Sequence, residues 1–308
     1  MKRSLRILVG AAVVSGLSVT LTACNTSPYA ASVNSQVIKQ TALNSELRAW
    51  AANAGYVTEF DSANSSTNGG SGATVLGSAP GTYSAGWVSE VLGSIIEAAV
   101  IHQHLAAIGK LPDQALLDAA RSVSETSAAE WVGFPAAFRQ TLVSRLADRA
   151  AASPTTVALA TLQQAYQQYV EYFFVQVCVL QSAATTQAAA QAITASGDVN
   201  GAKVCYDQTQ LENYPAAYRT AVIGSAVGDV SQPIRASVGF QVVKVVSRQE
   251  QGFTPAVQSV LSAVINSSQG TPDTSLTKLI NVARVKVNPA YGTWSSTTGV
   301  TPPQLSSS

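Results

Sequence analysis

The spacing of apolar residues changes once along the chain, near Tyr172. Before that point apolar side chains recur every three or four positions, as they do along one face of an amphipathic helix. The clearest run starts at Trp87 and keeps this spacing until Gly109 ends it. We therefore predict a largely helical first half, with helices over residues 41–50 (capped by Thr41), 87–109, 112–120, 134–150 and 154–172.

Strands are predicted mainly in the second half. Beyond Tyr172 the period shortens to two, which is typical of strands. The predicted strands cover residues 33–38, 173–180, 202–206, 240–246 and 282–287. Helices are predicted between the later strands, over residues 185–195 and 214–227 and on both sides of a loop at 267–273.

Two segments follow neither period. Residues 61–86 are rich in Ser, Gly, Asn and Thr and carry almost no charge, so we predict a flexible loop there. The tail from Pro289 is rich in Ser, Thr and Pro and is predicted to be loose.

The N-terminus has the features of an export signal. Lys2, Arg3 and Arg6 precede an apolar run over residues 7–19 that is too short to span a bilayer. The run ends in Leu-Thr-Ala-Cys at 21–24, which resembles a bacterial lipobox. In a lipobox the Cys thiol takes a diacylglycerol, and cleavage leaves that Cys as the new N-terminus.

This interpretation predicts a signal peptide at 1–23, a lipid on Cys24 and a tether over 24–30. The protein would then be anchored by lipid at the extracytoplasmic face of the cell membrane. An ordinary secretory signal, in which Cys24 is incidental, is the alternative.

Composition and charge exclude several classes of protein. Hydrophobic residues make up 46% of the chain and charged residues 11%, so the bulk of the chain does not have the composition of a disordered protein. Lys and Arg total 18 against 17 Asp and Glu, without the basic excess that marks a nucleic-acid-binding protein. Nucleic acid is therefore not expected as a partner.

The residues that carry most enzyme chemistry are scarce. The two histidines, His102 and His104, are two positions apart on a predicted helix and so point to different faces. No Gly-x-Ser-x-Gly elbow and no nucleotide-binding loop occurs. We predict no metal, no cofactor and no catalytic residue.

Apart from Cys24, the chain has two cysteines, Cys178 and Cys205. An even remainder in an exported chain favours a disulfide, and a bridge closing about 27 residues would stabilise the fold by about 3 kcal/mol. Two buried thiols are the alternative.

Several segments together resemble the extracytoplasmic SurA/PrsA-type foldases, which join a helical chaperone domain to a parvulin-type peptidyl-prolyl isomerase domain. Residues 33–38, Val-Asn-Ser-Gln-Val-Ile, are similar to the family's Val-Asn-Gly-x-x-Ile start, with Ser35 in place of Gly. Residues 95–117, including Ala-Ile-Gly-Lys-Leu-Pro at 107–112, are similar to its long helix, turn and next helix.

The most specific match is to the end of a parvulin domain. Residues 228–234, Gly-Asp-Val-Ser-Gln-Pro-Ile, and 239–245, Gly-Phe-Gln-Val-Val-Lys-Val, are close to Gly-x-Val-Ser-x-Pro-Val and Gly-Tyr-His-Ile-Ile-Lys-Val. Residues 287–292, Val-Asn-Pro-Ala-Tyr-Gly, resemble the family's closing strand. In the family the first and last segments pair, so the helical domain is built from both chain ends.

The resemblance implies an α+β protein. Residues 31–172 and 249–292 would form the helical chaperone-like domain, residues 173–248 an inserted and shortened parvulin-like antiparallel sheet domain, and residues 293–308 a loose tail.

The resemblance also implies the site, with departures from the family pattern. Parvulins place one His on the first strand and one on the last, where this chain has Cys178 and Gln241. The proline pocket would use Tyr218 as its aromatic residue and Leu211 as its aliphatic wall. Alternation would place Phe174, Gln176, Cys178 and Leu180 on one face, with Cys178 and Gln241 on the same floor.

Without the two His, strong isomerase activity is not expected. The predicted function is that of a membrane-anchored chaperone that binds unfolded or nascent secreted polypeptides. The alternatives are an active prolyl isomerase and a structural or partner-specific envelope lipoprotein.

Overall fold

The computed structural model describes residues 29–65, 72–126, 131, 133–153, 155–268 and 273–303. Cys24 and the predicted signal peptide lie outside these ranges. The helices are Gln40–Ala51 (α1), Ala54–Ala63 (α2), Ala85–Ala107 (α3), Gln114–Glu125 (α4), Ala136–Ala152 (α5), Leu159–Gln168 (α6), Gln187–Ser196 (α7), Gln208–Leu211 (α8), Ala216–Ile223 (α9), Pro255–Ser268 (α10) and Thr274–Val282 (α11). The strands are Tyr29–Val33 (β1), Gln36–Lys39 (β2), Phe174–Ala184 (β3), Lys203–Tyr206 (β4), Ile234–Arg235 (β5), Phe240–Glu250 (β6), Val285–Val287 (β7), Thr293–Ser295 (β8) and Gly299–Thr301 (β9). The protein is α+β, as predicted.

The chain divides into two compact units, each made of separate stretches of sequence. The described part of the sheet unit is 114–126 and 156–262, and that of the helical unit is 29–113, 131–155 and 263–303. The sheet unit thus contains α4 and residues 156–172 and 249–262 in addition to the predicted 173–248.

The helical unit is closed by both ends of the chain. Its sheet has the order β2-β1-β7, and β1 pairs antiparallel with β7 through Ala31–Val287 and Val33–Val285. The Asn288 side chain also donates a hydrogen bond of 2.9 Å to the Tyr29 carbonyl oxygen. The expectation that the first and last segments pair is confirmed.

The single strand predicted over 33–38 is wrong, because the segment is a hairpin. Val33 pairs with Gln36 across a turn formed by Asn34 (φ 47°) and Ser35 (φ 76°). Positive φ at both central residues is what a type I′ turn requires. Thr41 is not a cap either, since Lys39 holds the N-cap position and α1 begins at Gln40.

The centre of the helical unit is α3. Ser84 caps it by accepting a hydrogen bond from the Trp87 amide, and Trp87, Leu92 and Ile96 are fully buried. Among the described helices, α3 alone is long and apolar enough to cross a membrane, and half of its apolar stretch is buried inside the protein. These side chains form the main core with β1, α1 and β9.

Both segments predicted to lack structure contain ordered parts. In the predicted loop 61–86, α2 continues to Ala63, and the Asp61 carboxylate accepts a hydrogen bond of 2.9 Å from the amide of buried Val75. In the predicted loose tail, β8 and β9 form a hairpin that buries Val300 in the core of the helical unit. Burial against distant residues, not local composition, orders them.

The sheet unit contains a four-stranded antiparallel sheet of order β4-β3-β6-β5. Its two long central strands are β3 and β6, each of 11 residues. The helices around it are shorter than predicted: α6 ends at Gln168 and is followed by a 3₁₀ turn at Val170–Tyr172, while α9 covers only Ala216–Ile223.

Candidate functional site

The predicted site lies on one face of the four-stranded sheet, which we call the tyrosine face. It is covered by α8 and α9. Its buried residues are Phe174, Val177, Val179, Tyr206, Leu211, Tyr218, Val222, Ile223, Ile234, Val243 and Val245. The predicted pocket residues Leu211 and Tyr218 are therefore in one cluster, which also contains Val243 and Val245 of β6.

The opposite face, the disulfide face, is built from smaller side chains. Ala190 of α7 packs with Val199 and Val242, and Leu180 and Ala184 of β3 join them. Cys178 and Cys205 are paired directly across β3 and β4 and are joined by a disulfide in the structure.

The prediction that Cys178 and Gln241 share one floor is wrong. The pairing of β3 with β6 shifts register between Phe174 and Gln176, so Phe174 shares its face with Val177 and not with Gln176. A bulge of this kind moves every later side chain to the other face. Gln241, which pairs with Ala183, stays on the side of Val243, while Cys178 belongs to the disulfide face.

A hydrogen-bonded network occupies the tyrosine face. The Gln181 Nε2 donates to the hydroxyl oxygens of Tyr206 (2.5 Å) and Tyr218 (2.7 Å), and the Tyr218 hydroxyl donates to that of Tyr206 (3.2 Å). The ring of Tyr214 stacks on Tyr218 with centroids 4.8 Å apart. Burial, followed by the hydrogen bond to Tyr206, raises the pKa of Tyr218 above its usual value, so this hydroxyl stays protonated.

This network leaves the predicted pocket closed. Leu211 and Tyr218 are 0% and 1% exposed, so a peptide reaches them only if neighbouring side chains move. Gln241 is partly buried beside Ile234 of β5. Tyr and Gln do not titrate near neutral pH as His does, and both histidines of the chain lie on α3 in the helical unit. The polar groups described on the tyrosine face are the Gln181 amide and the tyrosine hydroxyls, which hydrogen-bond to one another.

The sequence reasoning missed Gln181, Tyr206 and Tyr214. The spacing of Tyr214 and Tyr218, four residues apart around the start of a helix, was an available signal for their stacking. No local pattern indicated that Gln181 would face them, because that depends on the bulge in β3.

A second group of polar residues joins α4 to the other helices of the sheet unit. The Arg121 guanidinium lies 2.5 Å from the Glu212 carboxylate, and that of Arg219 lies 3.2 Å from Glu125. Gln208 donates to the Ser122 hydroxyl at 2.6 Å. Only a few percent of each of these side chains is exposed, so α4 is held by ion pairs that are largely shielded from water.

Arg248 of β6 caps the C-terminal end of α9. Its guanidinium donates to the carbonyl oxygens of Val222, Ile223 and Ser225, each at 2.8 to 2.9 Å, and also to that of Glu171. A cation here satisfies the last carbonyl groups of the helix and complements its dipole.

The helical unit contributes exposed apolar side chains. Ile108 and Leu111 are 48% and 51% exposed and lie in the turn that follows α3. His102, also on α3, accepts or donates a hydrogen bond of 2.9 Å between its Nδ1 and the Asp148 carboxylate. Across the described ranges, no three His, Cys, Asp or Glu side chains come together as a metal site would require.

Comparisons with known proteins give structural matches only. No family model matches the sequence, and the search of curated proteins finds no match. The foldase protein PrsA from Lactococcus lactis is 16% identical with a TM-score of 0.28, over 85% of this chain and 95% of that one. A SurA-like chaperone from Campylobacter jejuni is 10% identical with a TM-score of 0.27, over 85% of this chain and 100% of that one. PrsA from Streptococcus pneumoniae is 13% identical with a TM-score of 0.26, over 62% of this chain and 81% of that one.

Proposed function

We propose that this protein is a lipid-anchored extracytoplasmic chaperone that holds unfolded secreted polypeptides, with a sheet unit that is a reduced parvulin-like domain without strong isomerase activity. The observation that carries the second part is the network of Gln181, Tyr206 and Tyr218. It fills the face where the resemblance puts the prolyl site, and none of its groups changes charge near neutral pH. The barrier to prolyl rotation is about 20 kcal/mol. A proline-containing peptide reaches this face only if neighbouring side chains move, because Leu211 and Tyr218 are 0% and 1% exposed.

The holding role is supported by the exposed apolar turn after α3. Unfolded chains offer apolar segments without a fixed sequence, and exposed apolar side chains bind such segments by burying them. Ile108 and Leu111 are three residues apart around Gly109, whose φ of 65° makes the turn. The motif that contains them, residues 107–112, is also one of those that resemble the foldases.

The lipid anchor is supported by the sequence of residues 21–24, Leu-Thr-Ala-Cys, after a basic and then an apolar segment. Two or more acyl chains give stable attachment, whereas one holds a protein only marginally. We expect the mature chain in the membrane fraction with lipid on Cys24. Unchanged processing and fractionation of a Cys24→Ala variant would contradict the anchor.

The chaperone activity can be tested with the full chain in lipid nanodiscs. We expect stoichiometric amounts to slow the aggregation of an unfolded client, with empty nanodiscs as the blank. The double variant Ile108→Ser/Leu111→Ser should lose most of this effect. The matched control is Leu159→Ser/Val238→Ser, which removes two exposed apolar side chains from the sheet unit and should retain it.

The same nanodisc preparation tests for prolyl isomerase activity. We expect a proline test peptide to isomerise at nearly its uncatalysed rate. A large acceleration that is lost in Gln241→Ala would establish the active isomerase in place of the silent site. If aggregation is unaffected and no peptide binds, the partner-specific envelope lipoprotein replaces both, and capture of one partner from the cell envelope would identify it.

A further inference from the structure

One face of the three-stranded sheet in the helical unit points away from the core. Ser32 of β1 pairs with Val37 on one side and with Lys286 on the other, so these three side chains lie in a row on the same face. Lys39 follows Val37 by two residues in β2, which places it on that face as well. Arg284 lies just before β7, two residues from Lys286, and is exposed. We call these five residues the outer sheet face.

The other face of this sheet is the buried one. Ala31 and Val33 are fully buried, and Ile38, Val285 and Val287 pack against the same core. On the outer face, by contrast, Val37 is 58% exposed, and Lys39, Arg284 and Lys286 are exposed too. Val282, at the end of α11, is 79% exposed and lies two residues before Arg284.

The outer sheet face is positively charged although the full chain has a net charge of only +1. Residues 29–39 and 282–290 contain three basic residues and no acidic residue. No ion pair of Lys39, Arg284 or Lys286 is found within the described residues. Without Lys2, Arg3 and Arg6, the 18 basic residues fall to 15 against 17 acidic ones, so the positive charge here is local.

The position of this face along the chain indicates what covers it. β1 begins at Tyr29, five residues after Cys24. Five residues span at most about 18 Å when fully extended. A lipid on Cys24 would therefore keep the β2-β1-β7 sheet within about two Debye lengths of the bilayer at physiological salt, near enough for the sheet to reach the headgroups.

We propose that the outer sheet face docks on anionic lipid headgroups, with Lys39, Arg284 and Lys286 on the phosphates and Val37 and Val282 at the boundary of the apolar region. The proposal rests on the lipid attachment proposed above for its proximity to the membrane. Each Lys or Arg near an anionic surface strengthens attachment about fivefold. Three of them hold one face of the unit toward the bilayer and leave the other faces to the client.

The test compares lysines within one molecule. The full lipidated chain is incorporated into vesicles of phosphatidylcholine alone or mixed equally with phosphatidylglycerol, and the rate of amine acylation is measured for each lysine by mass spectrometry. Lys110 and Lys203, which are exposed elsewhere, are the internal controls. We expect Lys39 and Lys286 to react about fivefold more slowly on the anionic vesicles. We expect Lys110 and Lys203 to react equally on both, and the difference to disappear at about 1 M NaCl, where the Debye length is about 3 Å.

Flotation of the same samples separates the docking from the anchor. A chain that floats with both vesicle types but shows equal acylation overturns the docking and leaves the anchor in place. Flotation with anionic vesicles alone, reversed by salt, supports the docking and refutes the anchor. Slow acylation of Lys39 and Lys286 on neutral vesicles overturns the docking, because a second copy or another part of the chain then covers the face. A chain that floats with neither overturns both.

Discussion

The two units of this protein bury their ion pairs to different extents. In the sheet unit the ion pairs are buried, with 4% and 1% of the Arg219 and Glu125 side chains exposed. In the helical unit the Arg149–Glu97 pair keeps 34% and 36% of its side chains exposed and the Arg145–Glu46 pair 22% and 9%, while the core is formed by apolar residues around α3. A buried pair is costly to break but adds little net stability, whereas an exposed pair is nearly neutral. Removing one partner of an ion pair should therefore cost most in the sheet unit.

The positions of the tryptophans allow the two units to be followed separately. All four tryptophans of the chain, Trp50, Trp87, Trp131 and Trp294, lie in the helical unit. Tryptophan fluorescence thus reports unfolding of the helical unit alone. Hydrogen exchange of peptides from β3 and β6 reports the sheet unit.

The largest effect is expected from Arg219→Met. It leaves the Glu125 carboxylate buried without its guanidinium partner, which should destabilise the sheet unit by about 3–5 kcal/mol. The matched substitution in the helical unit, Arg149→Met, should cost about 1 kcal/mol or less. Urea titration with both readouts measures the two values, and equal costs in the two units would contradict the contrast.

Removal of the disulfide should also act on the sheet unit alone. The double variant Cys178→Ser/Cys205→Ser opens a loop of 27 residues and should cost about 3 kcal/mol in hydrogen-exchange stability of β3. The urea midpoint measured by tryptophan fluorescence, which reports the helical unit, should not shift. Thiol counting in denatured, unreduced protein is the direct check on the bridge, and two reactive thiols besides Cys24 would show that it is absent.

The helical unit should respond to pH through Glu90. Burial raises the pKa of this carboxyl from 4.5 to about 7, so the folded state binds a proton that the unfolded chain releases. Its contribution to stability is complete below pH 4.5 and is lost as the pH rises through about 7. Because Glu90 is partly exposed, we expect a loss of about 2 kcal/mol.

Glu90→Gln is the variant that isolates this group. The amide of the variant stays neutral at every pH. Between pH 5 and pH 8, the free energy of unfolding measured by tryptophan fluorescence should therefore fall less in the variant than in the native protein. An identical pH profile in the variant would exclude Glu90 as the source.

The smallest effect is expected from Ser35→Gly in the β1–β2 turn. Ser35 has a φ of 76°, which glycine adopts without the steric cost that a Cβ carries. The substitution should stabilise the helical unit by about 0.5–1 kcal/mol, because Asn-Gly is the preferred sequence for a type I′ turn. Ser32→Gly, in the strand beside it, is the control and should destabilise.

Much of the architecture could be predicted from periodicity and motif resemblance. The 3.6-residue spacing located α3, and the pairing of β1 with β7 followed from the segments at the two chain ends. The site could be predicted less well. Leu211 and Tyr218 do share a cluster, but Gln181 was missed and Cys178 was placed on the wrong face.

The features that the sequence predicted depend on local constraints, and those that it did not predict depend on long-range contacts. Helical spacing and the absence of histidine outside α3 are properties of the sequence itself, and they determined the helical half and the lack of histidine on the four-stranded sheet. The bulge after Phe174 depends on how β3 matches its partner β6, and the pairing of Arg219 with Glu125 joins residues 94 positions apart. The bulge and the ion pair depend on the packing and desolvation of whole elements. Only the tertiary structure therefore decided which side chains meet on the tyrosine face.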